Sequence, residues 1–342
     1  MSKAAELAAL IGSQTALSNR NVIINGAMQV AQRGDVTGIT GANKYGGADR
    51  FVTNGTAYGT VSLVQEADAP EGFAESQRVK FTTARSTTGA GDHFVIGTRL
   101  EGQDLQRFKK GTSNAESMTV SFYAKASQAT SITLELFDAD NDRHAGKKFD
   151  ITTSWARYSY SFAGDTTGAF DNDNAVSLYV FFWLGSGTNF TSGTNPDGSW
   201  IQGTDTRRVH SDVGTTFMDT LNAEFNLTGV QLEVGEQATP FEHRSYGDEL
   251  RRCQRYFCKT LVTSSQADMD GANFMSARGI FPQSMRANPA IENRAFLAQG
   301  NMNTSDTINT TQTTKESVSL FSRASGSGNT YVYYSFDADA EL

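Results

Sequence analysis

A chain of 342 residues exceeds one ordinary core and suits two domains. Its net charge of −8, with no run of Lys or Arg longer than two, lacks the basic footprint that a nucleic-acid partner needs. No apolar stretch approaches a membrane span. Low charge (19%), 32 Gly and only 5 Pro give the turn-rich, polar composition of an all-β protein.

Residues 1–20 are expected to hold a short amphipathic helix at 4–11, with Leu7, Leu10 and Ile11 as its stripe, and a polar link. A helix this short is marginal alone in water and should dock on something. Met1–Ile11 has one basic residue, Lys3, and an apolar run broken by Glu6, which is not the pattern of a secretion signal.

Residues 21–246 are read as one jelly-roll β-sandwich, because their apolar runs are short, alternate on a period of two and are separated by Gly, Asn, Asp, Ser and Thr. A strand with one buried face needs a second sheet opposite it. Asn21–Val30 is expected to be a strand broken at Asn25-Gly26, where Gly permits a bulge or close approach of backbone. Phe51 is placed in the core, with Arg50 tying down the Gly-rich loop before it. Strands are expected at 60–64, 76–82 and 93–100, and a loop with a helical turn at 101–108. In Ser117–Lys125, Met118, Val120, Phe122 and Ala124 share one face. A strand at 131–137 leads into the acidic loop Asp138–Asp142, whose oxygens give a weak possibility of Ca²⁺. His144 is placed at the surface. Tyr158, Tyr160 and Phe162 share a face, and the apolar run 174–185 reads as a central strand. The polar stretch 185–208, carrying Trp200, is longer than a compact domain needs and reads as a surface recognition loop.

A connector helix is expected over 247–258, with Asp248 and Glu249 at its favourable N-terminal end and Leu250 packed. Cys253 and Cys258 are read as reduced thiols. Residues 259–342 read as a second small β domain with strands near Ile280, Val318 and Tyr331–Phe336. Its few large apolar side chains make a thin core, which makes an oligomer plausible.

Catalytic signatures are missing from the sequence. The four histidines lie far apart, and there is no phosphate-binding Gly-rich loop, nucleophile elbow or Cys–His arrangement. No carboxylate pair stands out beyond the 138–142 loop. The expectation is that the protein is not an enzyme and has no catalytic residue or cofactor.

Several landmarks combine. Asn21-Val-Ile-Ile-Asn-Gly-Ala-Met-Gln-Val-Ala-Gln-Arg-Gly34, Tyr45-Gly-Gly-Ala-Asp-Arg-Phe51 and Met118-Thr-Val-Ser-Phe-Tyr-Ala-Lys-Ala-Ser127 occur in order. They are followed by Thr228-Gly-Val-Gln-Leu-Glu-Val-Gly235, Ala238-Thr-Pro-Phe-Glu-His-Arg-Ser-Tyr246 and Cys253-Gln-Arg-Tyr256. This set resembles bacteriophage tail-fibre and virion-associated fibre proteins. The resemblance implies a carbohydrate-binding-like jelly roll in a virion appendage, a homotrimer, and attachment to other tail or baseplate proteins through the N-terminus. It also implies contact with host surface polysaccharide and a virion location, with assembly in the host cytoplasm. The family shares no catalytic residue to carry over. The alternatives are a purely structural virion component without a receptor, and a glycan depolymerase. Sugar rings stack on flat apolar surfaces, so glycan contact is expected at Trp200, Tyr331, Tyr333 and Tyr334.

Overall fold

The computed structural model describes residues 19–83, 89–269, 274–303 and 307–342. The helix expected at 4–11 lies outside them. The chain divides into two compact units between Tyr246 and Gly247.

The first unit is an all-β jelly-roll sandwich. One sheet runs β1 (Val36–Ile39), β4 (Val61–Glu66), β5 (Ser76–Phe81), β13 (Glu224–Val234), β7 (Met118–Ala126), β10 (Ala156–Phe162). The other runs β12 (Ile201–Gln202), β9 (Arg143–Ile151), β8 (Thr130–Asp138), β11 (Val176–Ser186), β6 (His93–Glu101), β3 (Val52–Thr56), β2 (Lys44–Tyr45). Alternation supplies the core: Met118, Val120, Phe122 and Ala124 of β7 are fully buried, facing Leu178, Val180 and Phe182 of β11 and Leu134 and Leu136 of β8. The rings of Phe122 and Phe182 meet edge to face at 4.8 Å. β11 is the central strand of its sheet, as its long apolar run predicts.

Asn21–Val30 departs from expectation. It is buried but is not a strand, because two asparagines take the backbone's partners. Asn21 donates from Nδ2 to Val230 O (3.0 Å), and its Oδ1 accepts from the amides of Ile23 (2.9 Å) and Leu232 (3.1 Å). Asn25, in the left-handed region at φ 59°, donates to Val30 O (2.8 Å) and Asp49 O (2.9 Å) and accepts from the Val30 amide (3.0 Å). Such side-chain bonds offer the chain an alternative to a ladder. Gly26 is required for the close approach anticipated there, since a Cβ would run into the Val230 carbonyl oxygen. Arg50 is buried and donates to Arg99 O (2.8 Å), and Phe51 enters the core.

The connector helix begins at the boundary, spans Tyr246–Gln254 and is shorter than predicted, because the chain turns at Tyr256 and enters β14 (Phe257–Met269) of the second unit. Cys253 and Glu249 are its buried residues, while Leu250 is only half-buried. Both cysteines are buried, and the Cys258 thiol donates to Gln254 O at 3.2 Å. β14 pairs with β19 (Gly328–Asp339), which pairs with β16 (Ala290–Gly300). A second sheet joins β15 (Phe274–Ile280), β18 (Ser317–Arg323) and β17 (Asn309–Thr311). Met275, Val318, Leu320, Val332, Tyr334 and Phe336 fill the space between.

Replacing Asn25 by Ala strands buried backbone groups, each costing about 1–3 kcal/mol. Asn25→Ala is expected to lower the melting temperature by several degrees, against little change for Asn301→Ala, whose amide donates at an exposed site. Differential scanning calorimetry checks this.

Candidate functional site

Rings outside the central core of the first unit form two sets: Phe73, Tyr123, Phe241 and His243 at the six-stranded sheet, and a set on the outward face of the seven-stranded sheet. On β11, Tyr179, Phe181 and Trp183 point outward at every second position, away from Val180 and Phe182. Register sets their neighbours. Tyr179 lies between Arg99 of β6 and Phe137 of β8, Phe181 between Gly97 and Glu135, and Trp183 between Val95 and Thr133. Gly97 leaves room for the Phe181 ring, which a Cβ there would meet.

The segment 187–215 covers much of this face. Phe190, Val209 and Val213 pack with Val52, Val95, Phe181 and Trp183 into a separate apolar cluster. The pin is ionic. Glu135 has no exposed surface, and Arg208 grips it with two bonds, Nε–Oε1 at 2.7 Å and Nη2–Oε2 at 2.8 Å. Trp183 Nε1 donates to the same carboxylate at 2.9 Å. Burial works against the Arg208 charge, but Glu135 outweighs it and raises the guanidinium's pKa. Asn195 adds bonds to Arg207 O (3.1 Å) and Arg208 O (3.0 Å), across Gly146. Under this cover His144 is fully buried, contrary to the surface position expected for it. Burial pushes the imidazoles of His144 and His93 below their ordinary value, so both are neutral at pH 7.

At the margin of the covering segment the face is only partly covered. Tyr45, Tyr179 and Phe137 are half-buried, and each ring has a guanidinium over it: Arg33 over Tyr45 at 4.9 Å, Arg99 over Tyr179 at 5.4 Å, Arg208 over Phe137 at 4.7 Å. Phe137 and Tyr179 meet edge to face at 5.7 Å. Arg99 Nη2 donates to the exposed Asn43 side chain. Half-exposed flat rings beside amide and guanidinium donors suit a polar ligand with apolar faces. The sequence reading missed this set. Period-two spacing marks Tyr179 as facing away from Val180, but only the register brings Arg99 and Phe137 to it, while Tyr45 stands three strands away on β2.

The residues singled out from sequence fare differently. Trp200 is half-buried, packs against the main core, and donates from Nε1 to Ala163 O at 3.0 Å, so it is no free stacking platform. Tyr334 is in the second unit's core, its hydroxyl bonded to Ser322 Oγ at 2.7 Å, because it faces opposite to its neighbour in strand β19. Tyr331 and Tyr333 share the outer face of β19, are 37% and 45% exposed, and lie 6.5 Å apart.

The Asp138–Asp142 loop is the β8–β9 hairpin turn, and its oxygens do not fit a calcium ion, because a lysine already supplies the cation. Lys110 Nζ, with no exposed side-chain surface, lies 2.5 Å from Asp138 Oδ2, 3.1 Å from Asp165 Oδ2, 2.9 Å from Thr167 O and 2.8 Å from Gly168 O. Asp138 Oδ1 meanwhile accepts from the amides of Asp140 and Asn141, and Arg143 clasps Asp165. Burial pushes the Asp165 carboxyl up, but Arg143 and Lys110 outweigh it and hold it below the usual range. The Phe170 and Trp200 rings lie over the same ammonium, each at 5.3 Å.

No family model matches the sequence, and no curated protein matches it. Among solved structures, the enzymatically active domain of tailspike protein 4 of bacteriophage CBA120 aligns over 63% of this chain at 11% identity and TM-score 0.32. The chain spans only 21% of that tailspike's length. A family 11 carbohydrate-binding module from Clostridium thermocellum, solved with a mixed-linked tetrasaccharide, aligns over 60% of this chain and 98% of its own, at 11% identity and TM-score 0.32. A xylan-binding domain from Paenibacillus barcinonensis aligns over 65% and 100%, at 12% identity and TM-score 0.30. Likeness at this level does not extend to a ligand or a role.

Two outcomes follow from the buried charges. Lys110→Met leaves buried carboxylates without their cation and is expected to cost about 3–5 kcal/mol, whereas chelator or millimolar Ca²⁺ leaves the wild-type melting temperature unchanged. A chelator-induced drop would contradict the lysine's role. His93, His144 and Asp165 all have depressed pKa values, so their contribution is complete above the unfolded-chain values and is lost as pH falls. Thermal melts are expected to weaken first below about pH 6.5, as the unfolded chain gains protons on the two histidines, and further below about pH 4 at Asp165.

Proposed function

We propose that the protein is a structural fibre subunit of a bacteriophage virion that recognises host-surface glycan through the paired rings Tyr179 and Phe137 on the seven-stranded sheet, with Tyr45 farther along the same sheet. The observation that carries this is the pair Tyr179 and Phe137, half-buried and edge to face at 5.7 Å, with Arg99 reaching from the Tyr179 ring to the exposed Asn43, and Tyr45 three strands away in the same sheet. The exposed parts of these rings supply affinity for the apolar face of a sugar, while the exposed Asn43 amide can meet its hydroxyls. The proposed role is binding without bond cleavage. Glu135, on the same face, is sealed beneath the covering segment and committed to Arg208 and Trp183. The motif resemblance over 21–256 supports placement in a tail or virion fibre, assembly as a homotrimer, and attachment to tail or baseplate proteins through the N-terminus.

Cell-surface adsorption of purified protein tests the reading. Tyr179→Ala, alone and with Tyr45→Ala, is expected to reduce adsorption at least tenfold, with the melting temperature within a few degrees of wild type. Trp200→Ala is expected to act through stability instead. Adsorption unchanged in the double variant would remove these rings from the site. No adsorption by the wild type would favour a purely structural virion component, and release of soluble oligosaccharide from host glycan would identify a depolymerase.

A further inference from the structure

The second unit is smaller than a third of the chain, yet it holds six of the nine exposed large hydrophobic side chains of the described residues: Val262, Phe274, Ile280, Leu297, Tyr331 and Tyr333. They fall on both outer faces of its two sheets. On β14–β19–β16 the register builds three successive rungs: Val262–Ser335–Ala295, Ser264–Tyr333–Ala298 and Gln266–Tyr331–Gly300. None of these nine positions is charged, although the chain carries net charge −8. The Tyr331 ring lies over Gly300, where a Cβ would meet it. The rung beyond these pairs Asp337 with the exposed Glu292. On the opposite sheet, Phe274, Ser276, Arg278 and Ile280 of β15 are all exposed while Met275, Ala277 and Gly279 between them are buried. Opposite them on β18, Phe321 and Arg323 face outward, with Phe274 and Phe321 edge to face at 5.6 Å and Arg323 over Phe274 at 5.2 Å.

We infer that this unit is an assembly module in which the β14–β19–β16 face of one copy packs on the β15–β18–β17 face of the next. Three features favour a second copy as the occupant. Exposed large apolar side chains on both faces of one small unit mark an interaction surface. Chains of net charge −8 repel each other except through surface with little like charge, and the rungs around Tyr331 and Tyr333 provide it. Finally, the two faces differ in charge: Arg278 and Arg323 stand on one, whereas the edge of the other sets Glu292 and Asp337 near Lys259 and Arg294. Contact between unlike faces is heterologous and generates a closed ring of copies when the rotation closes. On this arrangement Tyr331 and Tyr333 contact a neighbouring subunit, and glycan binding falls to the first unit. The inference does not rest on the glycan reading.

Sedimentation velocity of the full chain tests it. Wild type is expected to be multimeric at micromolar concentration. Tyr333→Asp on one face and Ile280→Asp on the other (45% and 73% exposed) should each yield monomers with an unchanged thermal melt. Ile280→Thr serves as a milder version, and Leu221→Asp, on an exposed apolar residue of the first unit, should remain multimeric. An equimolar mixture of the two face variants retains one intact pair of unlike faces and should give dimers that grow no further. Monomeric wild type, or face variants that stay assembled, would overturn the inference. Assembly lost from one face alone, or a mixture that stays monomeric, would overturn the pairing of unlike faces.

Discussion

Glu135 has no contact with water, and a carboxylate in that position must be paired or it destabilises the fold by several kcal/mol. Two groups meet it: the Arg208 guanidinium through two bonds and the Trp183 indole through one. Arg208 belongs to the covering segment and Trp183 to the sheet, so pairing the charge also fixes where that segment lies. Once it lies there, Phe190, Val209 and Val213 find apolar partners, His144 loses solvent, and the line Tyr179–Phe181–Trp183 is divided. Trp183 and Phe181 end up covered and Tyr179 only partly so. The extent of the proposed binding surface is therefore set by one buried ion pair.

The same economy of charge appears at the β8–β9 turn. Two aspartates, 138 and 165, and two backbone carbonyls converge on a point where a hard cation would suit the oxygens. Lys110 fills it from a different part of the chain, and Arg143 balances the second carboxylate. From sequence the loop displays its acids and conceals its cation, because a lysine 28 residues away carries no local signal of its destination. Trp200 follows the same logic: its polar neighbours suggest a surface loop, and its half-buried ring lies over this cage and against the core.

What the sequence made legible was periodic. Strands β7, β8, β10 and β11 could be read from alternation, since one buried face imposes a period of two. The buried Phe51 and Arg50 and the close approach at Gly26 were legible because their residue types have few other uses there. The first segment was not, because Asn21 and Asn25 satisfy backbone groups 209 and 24 residues away instead of joining a ladder. The binding surface was legible only in part. Alternation sends Tyr179 outward, but its neighbours Arg99 and Phe137 come from strands 80 and 42 residues earlier, a matter of sheet order rather than local pattern. Tyr334 shows the converse: three tyrosines looked equivalent by type, and the strand period alone separates the buried one from the two outside.

The two units pose complementary physical problems. A pair of half-exposed rings offers a sugar little enclosed surface, and an open site of that kind binds weakly as a single copy. The second unit displays apolar surface on two unlike faces, which is costly for an isolated chain and useful for one that meets its own copies. Joining copies places several weak sites on one particle, so that binding of the first raises the effective concentration of the others, and overall avidity rises by orders of magnitude without any new contact to the ligand. A sandwich that leaves its rings only half open and a module that leaves its faces uncovered are thus consistent with each other. Each feature is a liability in a monomer and an advantage in an assembly.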